Sequence, residues 1–157
     1  NPANPARQLV GVGSRALGPL VAEALALHGV ERAMVIHSED GMDEISPAAP
    51  TQVWLAAEGA VAESVLTPAD FGILPSSLAA IAGGDAEQNA GDIRAILDGH
   101  EGPKTDFVLM NAGAALFVAG RAAGIKEGVQ LARDSIGSGR ARDVLHHYVE
   151  LTQEADG

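Results

Sequence analysis

The N-terminal part of the sequence combines two strand patterns with one helix pattern, and this combination constrains the fold more than any other feature. Gln8 to Val12 and Ala33 to Ile36 are short apolar runs typical of strands. Between them, one helical face carries five apolar residues: Leu17, Leu20, Val21, Ala24 and Leu25. A strand, a helix and a strand within about thirty residues predict a βαβ unit, whose two strands are parallel.

Two further strand patterns follow a proline-containing connection. Gln52 to Ala57 and Val61 to Leu66 are short β-like runs. Glu58 and Gly59 lie between them, and a glycine-containing connection of this length favours an antiparallel hairpin. The hairpin extends the sheet that the βαβ unit begins.

Helical patterns occupy the rest of the sequence. A turn or helix start at Thr67 to Asp70 and a short helix from Pro75 to Ile81 come first. Four longer helices are then expected. The first has its cap at Asp85 and ends at Gly99, the second is a buried helix from Thr105 to about Ala122, and the third runs from Ile125 to Gly137. The fourth has its cap at Ser138, and its apolar face is formed by Ala141, Val144, Leu145, Tyr148 and Leu151. Together these patterns predict a single α/β domain over residues 1–157, in which helices flank a partial parallel or mixed sheet.

Composition narrows the function classes. The 157 residues carry a formal net charge of −11, which argues against nucleic acid and anionic membranes as partners. No cysteine is present, so neither a disulfide framework nor a cysteine-based metal site is expected. The longest apolar run, Phe107 to Ala119, is too short to span a bilayer, and no signal peptide is visible. A cytoplasmic location is therefore the expectation.

The segment His37 to Ser46 is the candidate functional loop. It follows a predicted strand and holds four carboxylates within six residues. Ligands of α/β sheets bind beyond the carboxyl ends of strands, and carboxylate oxygens suit Mg²⁺. Asp43 and Glu44, beside Gly41, are the candidate metal ligands. The alternative is a solvated acidic loop without a ligand, and the spacing alone leaves both interpretations open.

Other polar residues have simpler interpretations. His37 is either a general base or, more in keeping with its place at a strand end, a residue hydrogen-bonded to backbone. Asn111 is either a substrate contact or a core amide satisfied by neighbouring backbone. The segment Gly11 to Gly13 lacks the third glycine of a dinucleotide-binding motif, and Pro19 follows it.

Several motifs together resemble the C-terminal half of anthranilate phosphoribosyltransferase. The resemblance extends in order from the first residue to about Leu151. It is carried by Asn1 to Ala3, Gln8 to Val12, His37 to Ser46, Leu66 to Gly72, Gly83 to Ala90, Asn111 to Leu116 and Ile125 to Val129.

The resemblance implies a nucleoside phosphorylase-like fold and a transferase of tryptophan biosynthesis. In that reaction the nitrogen of anthranilate attacks the anomeric carbon of phosphoribosyl pyrophosphate (PRPP), and pyrophosphate leaves. The family's Gly-x-Asp-Glu loop binds Mg²⁺ on PRPP and corresponds here to Asp43 and Glu44. The complete enzyme of this family is a homodimer.

The sequence also departs from the family. It lacks the glycine-rich pyrophosphate loop, the Lys-His-Gly-Asn segment, the arginine that binds the anthranilate carboxylate, and most of the small N-terminal helical domain. Two function classes follow: part of an enzyme that needs a complementary N-terminal portion, or an inactive fragment or interaction module. The sheet is also expected to have an exposed edge.

Overall fold

The structure, a computed structural model, describes residues 5–155 and consists of one four-stranded sheet and six α-helices within that range. The strands are β1 (Arg7–Gly11), β2 (Arg32–Ser38), β3 (Thr51–Ala57) and β4 (Ala60–Leu66). The helices are α1 (Leu17–Leu27), α2 (Leu78–Ile81), α3 (Ala86–Leu97), α4 (Pro103–Val118), α5 (Ile125–Gly137) and α6 (Arg140–Ala155), and a 3₁₀ turn spans Pro68–Phe71.

The sheet has the order β1-β2-β3-β4. β1 and β2 are parallel and β3 and β4 are antiparallel, which confirms the predicted βαβ unit and hairpin. Glu58 and Gly59 both have positive φ, 53° and 76°. This is the conformation that a two-residue hairpin turn requires. The fold is therefore α/β with a mixed sheet, as expected.

The pairing of the strands, parallel for β1 with β2 and antiparallel for the others, brings the ends of β1, β2 and β4 and the start of β3 to one edge of the sheet. Ser38 at the end of β2 lies opposite Thr51, and Thr51 lies opposite Leu66 at the end of β4. Gly11, the last residue of β1, lies opposite Ile36. We call this edge the loop edge, because the acidic segment after β2 leaves from it.

The two faces of the sheet bury different cores. Met34 and Ile36 of β2 pack with α4 and α5 on one face. Val35, between them, packs with Trp54 and with Ala22 of α1 on the other face. This alternation follows from the two-residue period of a strand, and it shows why β2, buried on both sides, reads as a continuous apolar run.

Glycine permits the close contact between α1 and β3. A Cβ atom on Gly18 would lie 2.1 Å from the Trp54 ring, which is 3% exposed.

We expect Gly18→Ala to lower the free energy of unfolding by about 1–3 kcal/mol, because the added methyl group would overpack the buried Trp54 ring. Gly91→Ala in α3 is the control, since nothing lies within 4 Å of its Cβ position. That helical substitution should be neutral or stabilising in urea unfolding. Equal losses for both variants would contradict the packing argument.

Two arginines fix the C-terminal end of α4 against the sheet. Arg32 of β2 donates from Nη1 to the Phe117 carbonyl at 3.1 Å and stacks over the Phe117 ring at 5.3 Å. Arg7 of β1 donates to the Ala119 carbonyl. Cations at a helix C-terminus satisfy its free carbonyls. Each arginine is the first residue of its strand, so the two side chains anchor this end of α4 at the edge of the sheet opposite the loop edge.

The helices agree with the predicted patterns except at three ends. α2 begins at Leu78, three residues after the expected Pro75, because Ser77 is still extended, with φ of −81° and ψ of 155°. α4 ends at Val118, before the expected Ala122, because Gly120 with φ of 71° follows the last turn. Ser138 does not cap α6. It follows the last residue of α5 and donates its hydroxyl to the Ser135 carbonyl at 3.2 Å. The Gly139 carbonyl instead accepts the Asp143 amide at the start of α6.

The outer strands leave two sheet edges unpaired. Within residues 5–155, β1 pairs with β2 alone and β4 pairs with β3 alone. The expected exposed edge is therefore confirmed for this part of the chain. None of the described helices is long and apolar enough to be a candidate membrane span.

Candidate metal-binding loop

The acidic loop, residues 39–50, connects β2 to β3 at the loop edge, and backbone hydrogen bonds close its base. The Ser38 amide donates to the Met42 carbonyl and the Gly41 amide donates to the Ser38 carbonyl, both at 2.9 Å. Glu39 donates to the Pro50 carbonyl, also at 2.9 Å. Gly41 has φ of 94°, a conformation that glycine adopts without strain. The loop therefore begins as a defined turn.

Three fully buried hydroxyl residues hold the middle of the loop: Ser38, Ser46 and Thr51. The Ser38 hydroxyl donates to the Glu44 carbonyl at 2.7 Å. A hydroxyl has one proton, so the Thr51 hydroxyl donates to Ser38 across their 2.5 Å contact. The Ser46 amide donates to both hydroxyl oxygens, at 3.1 and 3.2 Å. This network fixes the backbone on the C-terminal side of Glu44.

Asn111 of α4 holds the next residue. Its Nδ2 donates to the Ile45 carbonyl at 3.1 Å, and its Oδ1 accepts the Ile45 amide at 3.0 Å. The same Nδ2 also donates to the Phe107 carbonyl at 3.0 Å. Ile45 is 0% exposed, so water does not replace these bonds. The interpretation of Asn111 as a core amide bonded to backbone is confirmed.

The backbone of Asp43 rests against the end of β1. A Cβ atom on Gly11 would lie 1.7 Å from the Asp43 carbonyl oxygen and 2.7 Å from its carbonyl carbon. Only a residue without a side chain allows this approach. Gly11 thus brings the acidic pair to the end of the first strand.

The four carboxylates of the loop separate into different roles. Asp40 accepts the Ser46 hydroxyl at 2.5 Å and the Met42 amide at 3.3 Å, so it stabilises the turn. Asp43 and Glu44 are exposed. Within residues 5–155, neither of their carboxylates has a hydrogen bond or an ion pair with another residue. Two accessible carboxylates therefore stand on a backbone that is held from both sides.

His37 contacts backbone, as the simpler interpretation predicted. Its Nδ1 lies 2.8 Å from the Val12 carbonyl. Because a carbonyl only accepts, Nδ1 carries the proton in this contact. The bond ties β2 to the segment that follows β1, next to Gly11.

The turn after β4 carries a separate carboxylate at the loop edge. The hydroxyl and the amide of Thr67 both donate to Asp70 at 2.7 Å, and these bonds lower the pKa of that carboxyl. The stabilisation from this contact is present above the ordinary pKa of Asp, 3.8. It is lost as the pH falls through the lowered value of the folded state.

The donor set of the acidic pair fits Mg²⁺. This ion usually binds through one or two carboxylates and keeps its other positions for waters and phosphate oxygens. In the described part of the chain, no group of three or more His, Cys, Asp or Glu residues is placed to hold a metal. Asp43 and Glu44 are therefore suited to an ion shared with a phosphate ligand, not to a closed protein cage.

Comparison with known proteins places the fold. The family model described as "Glycosyl transferase family, a/b domain" matches residues 1–142. The chain belongs to this family. Family membership is consistent with the α/β architecture and with the candidate site at the carboxyl ends of strands.

Individual glycosyl transferase relatives share a more specific name. The chain is 46% identical to the anthranilate phosphoribosyltransferase of Desulfatibacillum aliphaticivorans over 98% of this chain and 46% of the relative. It is 44% identical to that of Rubrobacter xylanophilus over 100% of this chain and 46% of the relative. The chain thus spans slightly less than half the length of these relatives.

Solved structures of the same name share the fold. The enzyme from Thermus thermophilus is 38% identical, with a TM-score of 0.80 over 89% of this chain and 41% of that one. The Saccharomyces cerevisiae enzyme in complex with PRPP and Mg is 30% identical, with a TM-score of 0.82 over 92% of this chain and 42% of that one.

The sequence patterns did not predict which residues shape the loop. Gly11 was considered only as part of an incomplete dinucleotide motif. The sequence patterns assign no individual role to Ser38 or Thr51. The one signal available in the sequence is a hydroxyl residue at each end of a polar loop. The contact between the Ser38 and Thr51 hydroxyls joins residues that are 13 positions apart, so local spacing does not predict it.

Proposed function

We propose that this chain is the acidic-loop portion of an anthranilate phosphoribosyltransferase of tryptophan biosynthesis. The complete enzyme would transfer the phosphoribosyl group of PRPP to the anthranilate nitrogen and release pyrophosphate. The observation that carries the proposal is the exposed Asp43–Glu44 pair, held in place in a chain that is 44–46% identical to relatives of that name.

Asp43 and Glu44 would hold Mg²⁺ together with the diphosphate of PRPP. Bound Mg²⁺ neutralises the charge that develops on the leaving pyrophosphate. The role of the protein is to present both carboxylates without rearrangement, since preorganised groups lose no free energy to reorientation during the reaction. The Asn111 amide pair and the Ser38 hydroxyl provide that order on the C-terminal side of the loop.

The complete enzyme requires a complementary portion. This chain has only 10 Lys and Arg residues against 21 Asp and Glu residues, so it is poorly suited to hold two phosphate groups alone. The unpaired edge of β1 is where we place the complementary N-terminal portion, because a free strand edge accepts another strand. We further propose that the complete enzyme is a cytoplasmic homodimer.

The isolated chain is therefore expected to be inactive. Intact mass under denaturing conditions establishes first that the sample contains one 157-residue species. Anthranilate, PRPP and MgCl₂ should then give no phosphoribosylanthranilate with this species. Turnover by the verified chain would contradict the need for a complementary portion and overturn this part of the proposal.

Substitution of the acidic pair tests the metal role. The chain is joined to the N-terminal portion of the Desulfatibacillum aliphaticivorans relative, and activity is followed by loss of anthranilate. We expect Asp43→Asn with Glu44→Gln to raise the Mg²⁺ concentration for half-maximal activity about tenfold and to lower kcat. The free energy of unfolding should change little, because neither carboxylate has a hydrogen bond or ion pair with another described residue.

Glu39→Gln is the matched control for this titration. Glu39 is an exposed carboxylate of the same loop, and only its backbone is bonded, to Pro50. Its Mg²⁺ titration should match that of the unsubstituted chimera. An unchanged titration for the double variant would remove Asp43 and Glu44 from metal binding, whereas an inactive chimera of correct fold would contradict the proposed activity.

A further inference from the structure

The connection between β1 and α1 places an arginine at the loop edge. Arg15 lies in this connection, after Gly11 at the end of β1, and it is exposed. Its Nη2 donates to Oε1 of Gln52 on β3 at 3.4 Å. Ligands of α/β sheets bind beyond the carboxyl ends of strands, where such connections begin. Arg15 is therefore placed to contact a ligand at the loop edge.

Gln52 sets the direction of this contact. It is 9% exposed, and its Nε2 donates to the Ser64 carbonyl of β4 at 3.2 Å. Because a carbonyl only accepts, the amide nitrogen faces Ser64 and the amide oxygen remains to accept from Arg15. A guanidinium has several N–H donors, and among the described residues only Gln52 accepts one from Arg15. The other donors are free to bind a ligand.

No carboxylate neutralises the charge of Arg15 in the described part of the chain. Three other cations form ion pairs with acidic residues: Arg7, Lys104 and Arg142. Among the described side chains, Arg15 forms no such pair, although the acidic loop leaves the same edge and the net charge of the chain is −11. The neutral amide of Gln52 therefore orients the guanidinium without cancelling its charge.

The guanidinium and the acidic pair lie toward opposite faces of the sheet. Gln52 is two residues from Trp54, which packs against α1, so Gln52 belongs to the α1 face. Ile45, next to the acidic pair, packs with α4 on the other face. The acidic pair lies at the end of β1 and Gln52 lies on β3, so two strand spacings, about 10 Å, separate them. A ligand that reaches from the acidic pair to Arg15 must therefore cross the loop edge and carry a second anionic group there.

We propose that Arg15 binds an oxyanion of a substrate at the side of the loop edge away from Mg²⁺, and that Gln52 positions the guanidinium. PRPP carries a phosphate at the end of its ribose opposite the diphosphate, and anthranilate carries a carboxylate. The paired N–H donors of a guanidinium match either group. The inference rests on the proposed enzymatic function and adds to the acidic pair a direct substrate contact from this chain.

Steady-state kinetics of the chimera with the complementary portion test the contact. We expect Arg15→Gln to raise the KM of one substrate about tenfold, the effect of losing a charge-assisted hydrogen bond, with the Mg²⁺ concentration for half-maximal activity unchanged. A higher KM for PRPP assigns the phosphate, and a higher KM for anthranilate assigns the carboxylate. Arg15→Lys should recover part of the loss, because it keeps the charge without the planar donors. Unchanged KM values for both substrates would overturn the proposal.

Arg94→Gln is the matched control for charge. Arg94 is an exposed arginine of α3, a helix that packs on α4, α5 and α6. Its substitution changes the net charge by the same amount as Arg15→Gln and should change neither KM. Equal increases for the two variants would assign the effect to net charge and would overturn a specific contact at Arg15.

Gln52→Leu tests the positioning role. Leucine is close to glutamine in size but cannot accept a hydrogen bond from Arg15. We expect this variant to raise the same KM by a smaller factor than Arg15→Gln does. In the Arg15→Gln background it should have no further effect, because Gln52 acts only through the guanidinium. Independent effects of the two substitutions would overturn the role of Gln52.

Equilibrium binding separates this inference from the proposed function. Titration calorimetry of the chimera, with PRPP and MgCl₂ or with anthranilate, measures each Kd without turnover. Binding without phosphoribosyl transfer would contradict the proposed activity, and a weaker Kd for Arg15→Gln would still support the contact. Equal Kd values for the two proteins would overturn the contact alone. A chimera that binds neither substrate would overturn both proposals.

Discussion

Gly11→Ala is expected to displace the acidic loop and to cause the largest loss of activity of any single substitution considered. The added Cβ would lie 1.7 Å from the Asp43 carbonyl oxygen. The backbone of β1 fixes the position of this Cβ, and the carbonyl belongs to the backbone of the loop. No change of side-chain rotamer therefore relieves the contact, and either β1 or the loop must move. A displacement of about 1 Å at a positioned group can lower a rate about 100-fold.

The effect should appear in both activity and stability. In the chimera with the complementary portion, we expect kcat to fall about 100-fold and the Mg²⁺ requirement to rise. In the isolated chain, urea unfolding should show a loss of about 1–3 kcal/mol, the usual range for overpacking. These two measurements separate a displaced loop from general unfolding.

Gly13→Ala is the matched control for Gly11. It lies two residues further along the same connection, and nothing lies within 4 Å of its Cβ position. This variant should retain the activity, the Mg²⁺ requirement and the stability of the unsubstituted chain. If both alanine variants behave alike, the contact between Gly11 and Asp43 does not position the acidic pair.

Asn111→Ala is expected to cause the largest loss of stability. The substitution leaves both the amide and the carbonyl of Ile45 without their partner, and Ile45 is 0% exposed. Each buried backbone group without a partner costs about 1–3 kcal/mol, so we expect a total loss of about 2–6 kcal/mol in urea unfolding for the two groups. Hydrogen exchange at the Ile45 amide should become faster by a larger factor than global unfolding explains.

Asn89→Ala tests whether burial is the cause. Asn89 makes the same two-way contact with a backbone residue: its Oδ1 accepts the Gly84 amide at 2.9 Å and its Nδ2 donates to the Gly84 carbonyl at 3.0 Å. This pair is exposed, so water replaces the lost bonds and the loss should stay below about 1 kcal/mol. If Asn111→Ala lowers the free energy of unfolding as little as Asn89→Ala does, then water replaces the hydrogen bonds of Ile45 and burial is not the cause.

The sequence predicted the elements well because their signals are local. Periodicity of two and of about 3.6 residues is decided by neighbours on the same strand or helix. It correctly predicted the βαβ unit, the hairpin at Glu58 and Gly59, and the apolar α4. His37 and Asn111 were also interpreted correctly, since a polar side chain in an apolar element usually bonds to backbone.

Helix ends were less certain. Ser138 has the residue type of a cap, but Gly139 adopts φ of 80° and starts α6 one residue later. Two adjacent candidates for one position differ by interactions of about 1 kcal/mol. Which of the two residues precedes the first turn of α6 therefore depends on how α5 ends. The residue pattern of α6 contains no information about the end of α5.

The sequence by itself determined the α/β class, the order of the elements and the acidic pair that follows β2. Only the tertiary structure decided that Asp43 lies against Gly11, and that Ser38 shares its hydroxyl between Glu44 and Thr51. It also decided that Val144 and Tyr148 of α6 are exposed. The physical reason is distance along the chain. Contacts between residues far apart in sequence depend on how sheet and helices pack, whereas residue type and spacing report only what a segment can form.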